Sequence, residues 1–435
     1  MAEKALEFAK NFGANEAEIY LSNARSISID IKKDKIDSAK EQSFKGIGIR
    51  AIVDGAIGFA STNSDCMNDI QNAAKIAVSS ARVRGGDPAW TGLPSKSQFP
   101  KILGLFDKKI KEIELDKTIE LAFSMLEGSK SVSDILATSG SFSCSYGSSL
   151  LINSNDVFVE QEGSIATGFI DVITTKGDVV TSYDFDMSRN LNIDYYSIGK
   201  NAATLAKQSQ NRISIESCKT SVILHPFAFS NLLEYTFIPS LSADNVQKNK
   251  SSLSEKKGEV IASENLNIID TGIMESGIGS SISDGEGTPS MCNSIIEKGV
   301  FKSFLYDCYT AGKESIKSTG NSSRGSYTST PSIDIQNMII EYPGCDIVAE
   351  TNNGILVHTV IGAHTANSIS GDFSVEARNA FLIKDGCIDK PIKSLMISGN
   401  IFDVLKNIDG AGIDARSVGN IITPSIRVAN MNVSG

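Results

Sequence analysis

The chain reads as an α+β protein: an N-terminal part in which helices alternate with an antiparallel meander, followed by a strand-rich C-terminal part. Three observations predict this. Apolar and polar residues alternate at period two over residues 15–62, 135–185 and, with interruptions, 265–428, as strands with one buried face do. Helical periodicity is confined to short segments between those runs. The dipeptides Asp54-Gly55, Lys298-Gly299 and Asp385-Gly386 join neighbouring runs, and such pairs make tight hairpin turns because both residues tolerate positive φ.

Taken in order, residues 2–11 have helical period and Gly13 supplies a stop. Ile27, Ile29 and Ile31, then Ile47, Ile49, Ala51 and Val53, predict the first strands of a meander with one buried face. A helix over residues 65–81 follows, capped by Ser64 or Asp65, with Ile70, Ala73, Ala74 and Ala77 inward. Residues 84–105 read as a loop holding the single tryptophan, Trp90, as a packing anchor. Asp116 is expected to cap a helix to residue 126, and Asp194 starts another with Ile198, Ala202 and Leu205 on one stripe. Polar residues 207–219 suggest a boundary, giving domains 1–215 and 216–435. Beyond it, strands are predicted over residues 265–270, 292–297, 301–305, 335–341, 355–360, 380–384 and 392–397, with a helical segment at 309–314.

Composition narrows the function classes. At 435 residues with 41% hydrophobic and 21% charged residues, the chain can bury substantial cores. A net charge of −10 argues against a general nucleic-acid surface, which needs clustered Lys and Arg. The seven cysteines are scattered, odd in number and free of C-x-x-C pairs, the usage of a reducing compartment. The N-terminus lacks an apolar signal region, and no run approaches the ~18 apolar residues of a membrane span. A cytoplasmic protein without membrane contact is expected.

The stretch that organises the chain is 220–250, TSVILHPFAFSNLLEYTFIPSLSADNVQKNK. Residues 221–224 read as a buried strand, His225-Pro226 breaks it, and Phe229, Leu232, Leu233 and Phe237 lie on one helical face until Pro239 ends the helix. This stretch resembles the TldD/PmbA family, described as modulators of DNA gyrase and as metallopeptidases. Catalytic members carry a His-Glu-x-x-x-His helix after a similar strand. Aligned on Leu232-Leu233 and on Ser240-Leu241-Ser242-Ala243-Asp244, the first ligand His falls on Glu234, the catalytic Glu on Tyr235 and the second His on Pro239. The late Cys ligand falls near Asp414, in a stretch without cysteine. The chain is therefore similar to the PmbA (TldE) branch, which lacks the metal motif. Asp284-Gly285-Glu286-Gly287-Thr288-Pro289, Ser318-Thr319-Gly320-Asn321 and Ser370-Gly371-Asp372-Phe373-Ser374 extend the resemblance, and Gly46 to Arg50 gives a fainter match as Gly-x-Gly-x-Arg.

The resemblance implies an N-terminal α/β-sandwich-like domain with an antiparallel sheet, a C-terminal β-barrel-like, strand-rich domain, and a homo- or heterodimer around a chamber. It implies no cofactor in this chain, and zinc in a TldD-type partner subunit acting on peptides or unfolded proteins. Asp284, Glu286, Thr288, Asn321 and Asp372 then mark candidate peptide-binding loops; equally, Asp284 and Glu286 can serve only to close turns with their glycines. Glu234 is read as an ordinary surface residue of its helix. The acidic charge gives the gyrase connection no support. Three histidines, His225, His358 and His364, leave two other readings open: a self-sufficient hydrolase using His358, His364 and Asp372, or a regulatory binding module. No phosphate loop and no G-x-S-x-G elbow is present.

Overall fold

The computed structural model describes residues 1–435. The N-terminal part runs α1 (Ala2–Asn11), β1 (Glu16–Lys32), β2 (Lys35–Val53), β3 (Ala56–Thr62), α2 (Met67–Arg84), α3 (Lys108–Lys111), α4 (Leu115–Lys130), β4 (Ile135–Asn153), β5 (Phe158–Thr174), β6 (Thr181–Ser188) and α5 (Tyr195–Gln208). Its strands form one antiparallel sheet ordered β3-β2-β1-β4-β5-β6. Strand parity decides which face the helices take, because successive side chains point to opposite sides. Odd-numbered Ala17, Ile19, Ile27, Ile29 and Ile31 of β1 are all buried. Ile19 packs with Ile49 and residues of α1 and α2, whereas Ile27, Ile29 and Ile31 pack with Met125, Leu126, Ile198 and Ala202 of α4 and α5. One long strand thus serves two helix pairs.

The even face does not follow the expectation of a single buried side. Glu18 and Arg50 stand opposite each other in the β1–β2 register, and only 1% and 3% of them is exposed. The C-terminal part covers them. Two caps also differ. Helix α2 starts at Met67 with Cys66 at its N-cap, while the Ser64 hydroxyl is spent on the Cys66 N–H and on Asp69. Asp116 lies inside the first turn of α4, where its charge suits the helix dipole, and Glu114 is the N-cap. Asp194 does cap α5, accepting from the Ser197 N–H.

Helices α4 and α5 approach closely through glycine. A Cβ on Gly128 would lie 2.0 Å from the carbonyl oxygen of Tyr196, and one on Gly199 1.9 Å from that of Met125. Backbone cannot yield there as a side chain can. Gly199→Ala is expected to destabilise the protein by about 1–3 kcal/mol, read as a lower urea midpoint; an unchanged midpoint would show that the helix pair can separate without cost.

The C-terminal part continues with β7 (Cys218–Leu224), α6 (Pro226–Thr236), α7 (Ile238–Leu241), α8 (Ala243–Gln247), β8 (Asn267–Thr271), β9 (Cys292–Glu297), β10 (Val300–Phe301), α9 (Cys308–Lys313), β11 (Ser322–Ser323), β12 (Ser332–Ile333) and β13 (Met338–Glu341). Then come β14 (Asn353–Ile361), β15 (Asp372–Lys384), β16 (Cys387–Ile392), β17 (Leu395–Asn400), α10 (Ile401–Lys406), β18 (Ile408–Ala411), β19 (Arg416–Val418), β20 (Ile421–Thr423) and β21 (Ile426–Ser434). Strands β14-β7-β21-β17-β15 close into a five-stranded barrel, because β15 pairs back onto β14. Closure leaves these strands no open edge. A second sheet runs β10-β9-β8-β13-β20-β19. Phe229, Leu232, Leu233 and Phe237 are fully buried in a common core of 45 residues, as their helical spacing requires. Two strands are shorter or split. Pairing over residues 301–305 stops at Phe301, and residues 392–397 break into β16 and β17 at Ser394, whose φ of 54° no regular strand tolerates. No helix is long and apolar enough to cross a membrane.

The two parts meet through buried charge. Arg50 donates to Glu18 at 2.6 Å and to Glu286 of the C-terminal part at 2.7 Å, and Arg324 donates to the other oxygen of Glu18. Burial disfavours the Arg50 charge, but the two carboxylates outweigh it and hold the guanidinium protonated. Arg50→Met leaves two carboxylates without their shared cation. It is expected to cost about 3–5 kcal/mol, seen in denaturant unfolding, and a loss under 1 kcal/mol would mean that water replaces the guanidinium.

Candidate functional site

Helix α6 is set by its first two residues. Pro226 occupies the first turn, where its missing N–H costs nothing, and the His225 Nδ1 accepts from the Phe227 N–H at 3.3 Å. At the other end Pro239 has no N–H to offer Tyr235, so the helix stops at Thr236 and the chain restarts as the single turn α7. Beside this broken helix lies a cavity of about 960 Å³, walled by α6 to α8, the β12 region, the β19–β20 turn and Tyr183 and Phe185 of β6. Glu234, Tyr235 and Pro239 all line it. Glu234 is exposed, as expected for a surface residue of its helix; it borders the cavity, and its carboxylate makes no hydrogen bond or ion pair. Burial, and then the nearby Asp334 carboxylate, push its pKa up. Burial likewise raises Asp334, whose bond from the Ile335 N–H opposes the shift. The other two acids of the wall are already engaged: Asp244 pairs with Lys248 at 2.7 Å, and Asp307 caps α9 through Thr310.

The residues present do not fit a zinc centre, which takes three or four converging ligands. No group of three or more His, Cys, Asp or Glu converges anywhere in the chain in a way that could hold a metal. Asp414 closes its own loop by accepting from the Ser425 N–H and hydroxyl at 2.9 and 2.6 Å. His358 stacks on His225 with ring centroids 3.9 Å apart and 17° between planes, so the two rings lie face to face. Burial, then Arg416, lowers His225 to about 4, and burial with His225 holds His358 well below the usual histidine range. His364 lies apart, exposed on a single helical turn and edge-on to Tyr235 at 6.4 Å. Asp372 is exposed at the start of β15, bonded to Ser370 and Asn400. The structure thus does not gather His358, His364 and Asp372 into a ligand set.

The loop residues form a second, internal constellation. Asp284 accepts from the backbone N–H groups of Glu286 and Thr288 at 3.0 and 2.8 Å and of Ser322 at 3.2 Å. Burial and the Glu286 carboxylate raise its pKa. Burial acts the same way on Glu286, but Arg50 and the Cys308 N–H outweigh it and hold that carboxyl below the usual range. Thr288 lies against the Cys308 thiol, 3.7 Å away. Asn321 donates to buried Asp270 at 2.5 Å and to the Asp334 carbonyl. The side chains of Asp284, Glu286 and Asn321 are thus spent on neighbouring chain segments. Of the two uses open to the Asp-Gly-Glu-Gly run, the structure displays the turn-closing one; Asp284 and Asn321 also border a 460 Å³ cavity between the two parts. Trp90 is a packing anchor: it donates to Glu16 at 2.6 Å and stacks on Tyr309, whose hydroxyl reaches Asp87 in the same loop.

Residues 217–435 match the C-terminal domain of the PmbA/TldA metallopeptidases, residues 17–81 their domain 1 and residues 108–210 their central domain. An uncharacterised protein of Methanocaldococcus jannaschii is 36% identical over 98% of this chain and 97% of its own length. The chain belongs to the PmbA/TldD family. Among relatives in the family, the metalloprotease TldD homologue of Buchnera aphidicola is 26% identical over 96% of this chain and 92% of that protein. The crystal structure of TldE from Thermococcus kodakarensis superposes with a TM-score of 0.92 at 28% identity, covering 100% of this chain and 99% of that one.

Several residues that shape this PmbA/TldD protein were not singled out from sequence. Asp334 and Asp270 look like ordinary strand-end acids, and Glu18 like one polar position among many. Arg50 carried a signal, as the last residue of the Gly-x-Gly-x-Arg match. Burial raises the pKa of Asp270 to about 6, against the hydrogen bonds from Asn321 and the Gln336 N–H. Its folded pKa exceeds the ordinary value of 3.8, so its contribution to stability is full below pH 3.8 and is lost as pH rises through about 6. Asn321→Ala removes a donor to the charged form. The variant is expected to lose about 1–3 kcal/mol and to extend the declining window above pH 6. Urea unfolding from acid to neutral pH reads both, and a pH profile parallel to that of the parent protein would refute the assignment.

Proposed function

We propose that this chain is the non-catalytic, TldE-like subunit of a cytoplasmic metallopeptidase complex acting on peptides or unfolded proteins. One observation carries the reading. Glu234 and Tyr235 of α6 and Pro239 of α7 stand at the three positions where the resemblance places ligand, base and ligand, and no trio of metal-binding side chains forms elsewhere. The similarity to TldE over the whole chain supports it.

In this reading the chain contributes shape rather than bond-breaking groups. The cavity beside α6 holds an extended polypeptide. The strand β19 ends its sheet with no further strand hydrogen-bonded to it, although β6 and α6 lie nearby, and Val418 at its end lines the cavity. A polypeptide can add there as a further strand, its backbone groups paired while side chains enter the cavity. A TldD-type subunit, in a heterodimer, supplies the zinc and the general base.

Metal content and peptide cleavage, measured on the purified chain alone and after mixing with a relative that carries His-Glu-x-x-x-His, test this directly. Cleavage only in the mixture is the expected result. One tightly held zinc per chain, with chelator-sensitive cleavage by the chain alone, would replace the proposal with that of a self-sufficient hydrolase.

A further inference from the structure

What the cavity beside α6 selects is set by its charge. Its wall contains four charged residues, Glu234, Asp244, Asp307 and Asp334, and no Lys, Arg or His. Asp244 and Asp307 are already engaged, by Lys248 and by the α9 cap. Glu234 and Asp334 have no cationic partner and line the same cavity, and the charge of Asp334 disfavours the charge of Glu234. Arg416 packs on the Phe227 ring at 4.5 Å, but it does not line the cavity and is bonded to Asp184 and the Phe185 carbonyl. The rest of the wall is aromatic in part. Tyr183 and Phe185 are partly exposed on the wall and pack on buried Phe227, with ring centroids 5.7 and 5.0 Å away, and partly exposed Tyr235 adjoins Glu234.

We propose that this cavity binds a cationic group of a polypeptide, an amine or guanidinium, between Glu234 and Asp334, with its aliphatic stem against the aromatic wall. The inference rests on the reading of the chain as a polypeptide-holding subunit and adds the substrate class. A cation placed there relieves the repulsion of two exposed carboxylates on one cavity wall that no cationic side chain of the protein pairs with. Aromatic faces favour both the charge and the methylene stem of lysine or arginine. A multivalent metal is the weaker occupant, since two carboxylates without a third converging ligand do not make a metal site. The net charge of −10 draws basic segments toward the protein from a distance.

Fluorescence anisotropy on the full chain, with labelled peptides of one length, tests the proposal. Three are N-acetylated and carry a central lysine, norleucine or glutamate; a fourth is neutral in its side chains with a free amino terminus. The lysine peptide is expected to bind about tenfold more tightly than the norleucine peptide, with glutamate weakest and the preference shrinking as salt rises. Tight binding of the fourth peptide instead assigns the cation to a chain end and also supports the proposal. The double variant Glu234→Gln, Asp334→Asn should reduce the preference to about twofold or less, and its binding of the norleucine peptide reports that it is folded. Equal binding of lysine and norleucine peptides overturns the cation site but leaves the polypeptide-holding reading standing. Absence of binding by every peptide overturns both, and a preference that survives in the double variant overturns the assignment to Glu234 and Asp334.

Discussion

Glu18, Arg50, Glu286 and Arg324 form a buried, charge-balanced chain of ion pairs, and the relation between the two halves of the molecule depends on it. Two members come from adjacent strands of the N-terminal sheet and two from C-terminal loops. Charges withdrawn from water tolerate few arrangements, because each must find its partner or pay a desolvation penalty of several kcal/mol. The loops can dock on the sheet only where Glu286 meets Arg50 and Arg324 meets Glu18. That restriction carries through the chain. Glu286 also accepts from the Cys308 N–H, which positions α9, and Tyr309 of α9 stacks on Trp90 from the 84–105 loop.

The same docking makes the cavity beside α6. Its wall needs Tyr183 and Phe185 from the last strand of the N-terminal sheet as well as α6 and the β12 and β19 regions of the C-terminal part. Arg416 ties the two together through Asp184 and the Phe185 carbonyl. The cavity therefore belongs to neither half alone.

The stacked histidines illustrate how a fold can hold metal-type residues without making a metal site. His225 and His358 are brought together by the parallel pairing of β7 and β14, where Leu224 stands opposite Val357 one residue before each histidine. Burial keeps both neutral, and their rings offer faces to each other instead of lone pairs to an ion.

The α+β class, the long meander, the buried face of α6 and the Asp54-Gly55, Lys298-Gly299 and Asp385-Gly386 turns were legible from sequence, because periodicity and turn chemistry are local properties. The resemblance places Glu234, Tyr235, Pro239 and Asp414 at the family's metal and base positions, and the structure puts the first three on one cavity wall, with Asp414 bonded to Ser425. Tertiary structure decided the rest. That Glu18 and Arg50 are buried follows from a partner more than two hundred residues away in sequence, and no local pattern marks a strand face as covered. That Asp284 and Asn321 turn inward, that Asp334 and Glu234 line one cavity, and that five strands close into a barrel through β14 and β15 are long-range outcomes of packing.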